Sequence, residues 1–128
     1  MKHILIAVAF ISILSSCTKT EGPGGGATVN GTVITNDYNS FGTLLATFPS
    51  QDQKVFIIYG SDDNIVDDDV STSYDGTFQF NYLRKGTYTA FVYSDCVTCD
   101  SGDSAVKVTF QITDKKEVIN LSDIIIRK

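Results

Sequence analysis

Apolar and polar residues alternate in short runs along most of this chain. Between Ser73 and Ser94, Phe78, Phe80 and Tyr82 alternate with Thr77, Gln79 and Asn81, the period of two produced by a strand with one buried and one solvated face. Asp75-Gly76 bounds the run on one side and Arg84-Lys85-Gly86 on the other, turn signals in which glycine takes positive φ without a Cβ clash. The stretch predicts a central hairpin with Phe78, Phe80, Tyr82, Tyr88 and Val92 facing the core. Val106, Val108, Phe110 and Ile112 alternate in the same way, whereas Lys54 to Tyr59 is apolar at both parities and predicts a strand covered on both faces. Val29 to Ile34 reads as the first strand, with Gly31 marking a bulge or a close backbone approach. Val70 to Tyr74 reads as a short polar edge strand. Val118 to Ile126 closes the chain, and its alternation breaks near Ser122-Asp123, where a bulge is expected. Helical periodicity is absent over any useful length. Together these runs predict an all-β, seven-stranded Greek-key β-sandwich. The connection from Asn36 to Gln53 is long and holds Phe41, Leu44, Leu45 and Phe48, so part of it should pack on the sandwich or form a short extra strand.

The first residues follow a different pattern. Lys2 and His3 precede an apolar run from Ile4 to Leu14, long enough for a signal-peptide core and too short to span a bilayer. It ends in Leu14-Ser15-Ser16-Cys17, which resembles the bacterial lipobox. The resemblance implies that residues 1–16 are a lipoprotein signal peptide and that Cys17 carries a diacylglyceryl thioether and an N-acyl chain. Each buried CH₂ adds about 0.8 kcal/mol to such an anchor, so several chains hold it stably. Thr18 in the second mature position matches the pattern that sends lipoproteins of many Gram-negative bacteria to the outer membrane. The expected location is therefore the cell envelope, lipid-anchored, on the outer membrane. An ordinary secretory signal and an uncleaved anchor are the alternatives. Residues 17–27, with Pro23 among Gly22, Gly24, Gly25 and Gly26, have the composition of a flexible tether. That leaves 28–128 as the folded domain.

A chain of 128 residues with this division holds one small domain. Its net charge is −5, one unit more negative once Lys2 leaves with the signal, and phosphate backbones would be repelled. The sole histidine is His3, inside the expected leader. A mature chain without imidazole excludes Ser-His-Asp and Cys-His catalysis and His-ligated metal sites. The remaining chemistry lies in two loops. Cys96-Val-Thr-Cys99 has redox-motif spacing, but flanking Asp95 and Asp100 disfavour a thiolate. In an oxidising compartment a local disulfide is expected, with free thiols, a metal pair or a redox pair as alternatives. Asp62, Asp63, Asp67, Asp68 and Asp69, with Asn64, offer hard oxygen ligands of the kind Ca²⁺ takes. They miss the EF-hand pattern, because counting from Asp62 the fifth position is Val66, the sixth is Asp67 and the twelfth is Ser73. A solvated acidic loop and a bespoke Ca²⁺ loop, joined by Asp95, Asp100 or Asp103, are the two readings. Phe91 and Tyr93 fall on the outward parity of their strand, either as a ligand platform or covered by the Cys96 to Cys99 loop or the Asn36 to Gln53 connection.

Val29-x-Gly31-x-Val33, the apolar strand from Val55 to Tyr59, and Tyr74-Asp75-Gly76-x-Phe78-x-Phe80-x-x-Leu83-x-x-Gly86-x-Tyr88 resemble carboxypeptidase regulatory-like domains. The likeness runs from about Val29 to Val92, and the Asn36 to Gln53 connection departs from it. It implies a transthyretin-like (prealbumin-like) sandwich in which Leu83 and Gly86 shape a turn that Tyr88 buttresses, and it transmits no active site. The expected function is that of a non-enzymatic, outer-membrane-anchored lipoprotein whose sandwich is a structural or interaction module. It needs no cofactor and touches the membrane through its N-terminal lipid; its partner would be an envelope protein or glycan. A second reading is a ligand-binding module, Ca²⁺-dependent or otherwise, using the acidic and Cys loops at one end of the sandwich.

Overall fold

The computed structural model describes residues 21–60 and 65–128. The expected leader, Cys17, and the acidic pair Asp62 and Asp63 lie outside the described residues. Nine strands follow one another: β1 Pro23–Tyr38, β2 Leu44–Pro49, β3 Lys54–Tyr59, β4 Asp68–Ser71, β5 Thr77–Leu83, β6 Gly86–Asp95, β7 Asp103–Ile112, β8 Val118–Asn120 and β9 Ile124–Arg127. They form two sheets with the core between them.

Strand β1 is the spine of the first sheet. Its first half pairs antiparallel with β5 and parallel with β8; its second half pairs antiparallel with β2 and parallel with β9. The second sheet is antiparallel throughout, in the order β4-β3-β6-β7. Between them lie Val29, Val33, Phe78, Phe80, Ile124 and Ile126 from one sheet and Val55, Ile57, Tyr88, Val92, Phe110 and Ile112 from the other. At one edge the buried hydroxyls of Thr35 and Ser50 bond each other, and that of Thr72 donates to the Ser50 carbonyl. These bonds tie β1, the β2–β3 crossover and the end of β4 together. No buried side-chain nitrogen or oxygen among the described residues is left without a partner, as a stable interior requires.

Four features differ from the sequence reading or refine it. Among the described residues nine strands appear instead of seven, because the long connection supplies β2 and the last strand divides in two. The division is the expected bulge: pairing to β1 slips by one residue between Asn30↔Asn120 and Val33↔Ile124. The slip resets the parity, so Ile124 and Ile126 both reach the core.

The folded part also begins before Thr28. Pro23 and Ala27 both pair with Leu83, the Arg84 amide donates to the Gly22 carbonyl at 2.8 Å, and Ala27 is fully buried. In this run glycine permits close packing instead of a tether, since a Cβ on Gly25 would overlap the Leu83 backbone.

Tyr82 is the third correction. It is 72% exposed, not in the core, because it takes φ of 58°. This left-handed residue breaks the alternation and turns Leu83 inward in its place.

The fourth concerns the apolar residues of the long connection. Phe41, Leu44, Leu45 and Phe48 are exposed and do not pack on the sandwich. The hairpin that carries them pairs with the second half of β1, from Ile34 to Tyr38.

Candidate functional site: a groove at the disulfide end

Strand β6 fixes the geography. Tyr88, near its start, pairs with Tyr59 of β3, and Asp95, at its end, pairs with Asp103 of β7. The run of β6 from Tyr88 to Asp95 puts these two pairings roughly 23 Å apart. The described part of the acidic β3–β4 segment, with Asp67 against the Tyr59 amide, therefore sits toward one end of the sandwich and the disulfide loop at the other. This corrects the expectation that both loops share one end. The described chain enters at the acidic end, where Gly22 donates to the Tyr88 hydroxyl at 2.9 Å.

The described acids of the β3–β4 segment are each engaged separately. Asp67 Oδ2 accepts the Tyr59 amide at 2.7 Å, and Asp68 Oδ1 accepts the Asp69 amide at 2.8 Å. Asp69 Oδ1 pairs with Lys54 Nζ at 3.3 Å. Burial pushes the Tyr59 phenol above its ordinary range, and the charges of Asp68 and Asp67 add to the effect. Among the described residues no three His, Cys, Asp or Glu side chains converge on a point where a metal could sit.

At the other end two turns face each other across a groove of about 770 Å³. The first is the β1–β2 turn. Asn39 Oδ1 accepts the amides of Phe41 and Thr43 at 3.0 and 2.9 Å, an Asx arrangement that sets a tight turn. Gly42 completes it at φ 80°. Phe41, at the tip, is 92% exposed. The second turn is closed by the disulfide between Cys96 and Cys99, the pairing expected from the sequence. The Cys96 amide donates to Gly102 at 2.7 Å and the Gly102 amide to Cys99 at 3.0 Å. Val97, between the two cysteines, is also 92% exposed.

The sides of the groove come from the far end of the chain. The Arg127 guanidinium lies 4.1 Å over the Tyr38 ring, a cation–π contact, and its amide donates to the buried Ser94 hydroxyl at 2.8 Å. Asp95 supplies a carboxylate. The groove thus offers two apolar lips, a cation already held on an aromatic ring, and hydroxyls between them. Such a surface can take an apolar side chain flanked by polar groups. Of these residues the sequence reading singled out Cys96, Cys99 and Asp95 but not Tyr38 or Arg127, which come from opposite ends of the chain. Phe41 carried a readable signal, because a phenylalanine within Asn39-Ser40-Phe41-Gly42 stands in turn chemistry, not in a strand.

On the outer face of the second sheet, Phe91 is buried and Tyr93 is half exposed. The cover over Phe91 includes Phe56, stacked at 5.2 Å between ring centres, and Tyr93, edge-on at 5.4 Å. Phe56 and Tyr93 meet at 5.6 Å, so the three rings form one cluster.

Comparison with known proteins bears on the fold. No protein-family profile matches the sequence, and no curated protein matches it. Among solved structures, the chain is similar to a candidate carbohydrate-binding protein of Pseudomonas aeruginosa. The TM-score is 0.51 at 14% identity, over 86% of this chain and 92% of that one. It also overlays on an (S)-allantoin synthase at a TM-score of 0.45 and 9% identity, over 76% of this chain and 41% of that one. At these identities the first likeness speaks for the two-sheet sandwich alone.

Proposed function

We propose that this chain is a non-catalytic interaction module of the cell envelope, tethered through a lipidated Cys17, on the outer membrane by the Thr18 pattern, and built on a transthyretin-like Greek-key sandwich. It engages a protein partner through the groove at the disulfide end. The observation that carries the reading is the pair Phe41 and Val97, each 92% exposed yet held on turns locked by an Asx bond set and a disulfide. Single exposed apolar residues are ordinary; two carried on fixed turns along one groove suit a partner's side chain, because little backbone ordering entropy remains to be lost on binding. Direction supports the reading as well. Residue 22 lies at the opposite end of the sandwich from the groove, so an anchor a few residues earlier would hold the groove outward from the bilayer. No cofactor enters the proposal.

Two experiments test it in cells. Metabolic labelling with an acyl-chain probe should mark the wild-type protein and not Cys17→Ala; label that persists in the variant removes the anchor. A photo-crosslinking amino acid at Val97 should give a discrete adduct with one envelope protein, while the same probe at exposed Gln111 on the flank of β7 should not. Equal adducts at both positions, or none at Val97, would remove the groove.

A further inference from the structure

The outer face of the first sheet carries an arrangement the groove does not involve. Gln79 of β5, Asn30 of β1 and Asn120 of β8 form a side-chain relay across three adjacent strands. Gln79 Nε2 donates to Asn30 Oδ1 at 2.7 Å, and Asn30 Nδ2 donates to Asn120 Oδ1 at 3.3 Å. Beside it, Thr28 Oγ1 donates to Asn81 Oδ1 at 3.3 Å. The relay borders a hollow of about 620 Å³ whose remaining polar lining is the Asn81 amide and the hydroxyls of Thr32, Thr77, Ser71 and Ser73. None of its described lining residues is charged, although one residue in five of this chain is.

We propose that this hollow is a binding site for neutral saccharide. A sugar hydroxyl both donates and accepts, and so does a side-chain amide. The relay fixes the orientation of each amide through its neighbour, and its two ends, Gln79 Oε1 and Asn120 Nδ2, take no partner among the described residues. One acceptor and one donor therefore stand ready, two strand spacings or about 10 Å apart, and the relay between them leaves less rotamer freedom to freeze than three separate amides would. Other ligand classes fit worse. A charged ligand would shed hydration without meeting an opposite charge, and an apolar one would cover the amides and leave them unpaired.

The test is a glycan array probed with the detergent-solubilised full-length protein, carrying neutral glucans, mannans and galactans beside uronate-containing and sialylated chains. Retention of one or more neutral glycans and not of their acidic counterparts is expected. The strongest neutral glycan is then used in affinity electrophoresis. Asn30→Ala/Gln79→Ala should weaken retardation on the order of tenfold, and Asn120→Asp, which keeps size and exchanges the free donor for a charge, should do the same should the double variant fail to fold. Phe41→Ser/Val97→Ser, which alters only the groove, should bind glycan like the wild type, so the two sites fail or stand separately. Array signals absent for every neutral glycan, equal for acidic ones, or unchanged in both amide variants would overturn the proposal and leave this face as ordinary solvated sheet.

Discussion

The Gly22 amide donates to the Tyr88 hydroxyl at 2.9 Å across 66 residues of chain, and the same hydroxyl donates to the Arg84 carbonyl at 2.6 Å. One phenol thereby closes the β5–β6 turn and clamps the start of β1 onto it. Its ring stacks on Phe110 at 5.5 Å and meets Tyr59 edge-on at 5.8 Å. Tyr88→Phe keeps the ring and strands two backbone groups, so unfolding free energy should fall by about 1–3 kcal/mol in urea titration. An unchanged midpoint would mean that water satisfies both groups.

The same residue sets an alkaline limit. Burial raises the Tyr88 phenol above its ordinary value, the Glu21 carboxylate adds to this, and the Gly22 hydrogen bond partly opposes it. Since the folded state holds the proton more tightly than the unfolded chain, this contribution is intact below about pH 10. It is lost as pH rises from there through the folded value. Wild-type stability should therefore decline above pH 10, and Tyr88→Phe, less stable at neutral pH, should decline less steeply over the same range.

Gly31 faces Phe78 across the β1–β5 pairing, and a Cβ on it would overlap the Phe78 ring. Gly31→Ala should cost about 1–3 kcal/mol through overpacking. Phe78→Leu in the same chain should recover part of the loss, a non-additive pair in a double-mutant cycle. Strict additivity would indicate that the ring simply swings aside.

Tyr82 and Phe80 share a parity in the sequence and have opposite fates in the fold. Phe80→Ala should cost about 3–5 kcal/mol as a buried truncation. Tyr82→Asn should be neutral, or stabilise by up to about 1 kcal/mol, because asparagine tolerates the left-handed conformation that tyrosine holds under strain. Thermal melts of the two variants separate these outcomes, and a large loss for Tyr82→Asn would return its ring to a packing role.

The Cys96–Cys99 bridge closes a very small loop. Replacing both residues by serine should lower stability by about 2 kcal/mol on the chain-entropy estimate, read as a lower urea midpoint and as faster hydrogen exchange of the amides that open only on global unfolding. Titration of unfolded, unreduced Cys17→Ala protein should find no reactive thiol.

The strands were legible because half-buried antiparallel strands write their period directly into the residue order. Lys54 to Tyr59 matches β3 end to end, and the break at Ser122-Asp123 coincides with the register slip between β8 and β9. Where one residue changes the parity, as at Tyr82, the pattern misleads, since the deciding quantity is a backbone angle and not a side-chain polarity. The glycine run misled for a related reason: composition cannot distinguish chain freed by glycine from chain that packs too tightly for any other residue, as Gly25 does against Leu83.

The sequence by itself determined the all-β class, most of the strands and the acidic, histidine-poor composition of the chain, and it made a Cys96–Cys99 disulfide the expected pairing, because these follow from local alternation, spacing and composition. Only the tertiary structure decided that the acidic and disulfide loops lie at opposite ends, that Tyr38, Phe41, Val97 and Arg127 line one groove, and that Asn30, Gln79 and Asn120 join in one relay. Each of these depends on which strands become neighbours. Pairing between distant segments is settled by the burial of whole sheet faces against each other, which no short stretch of residues encodes alone.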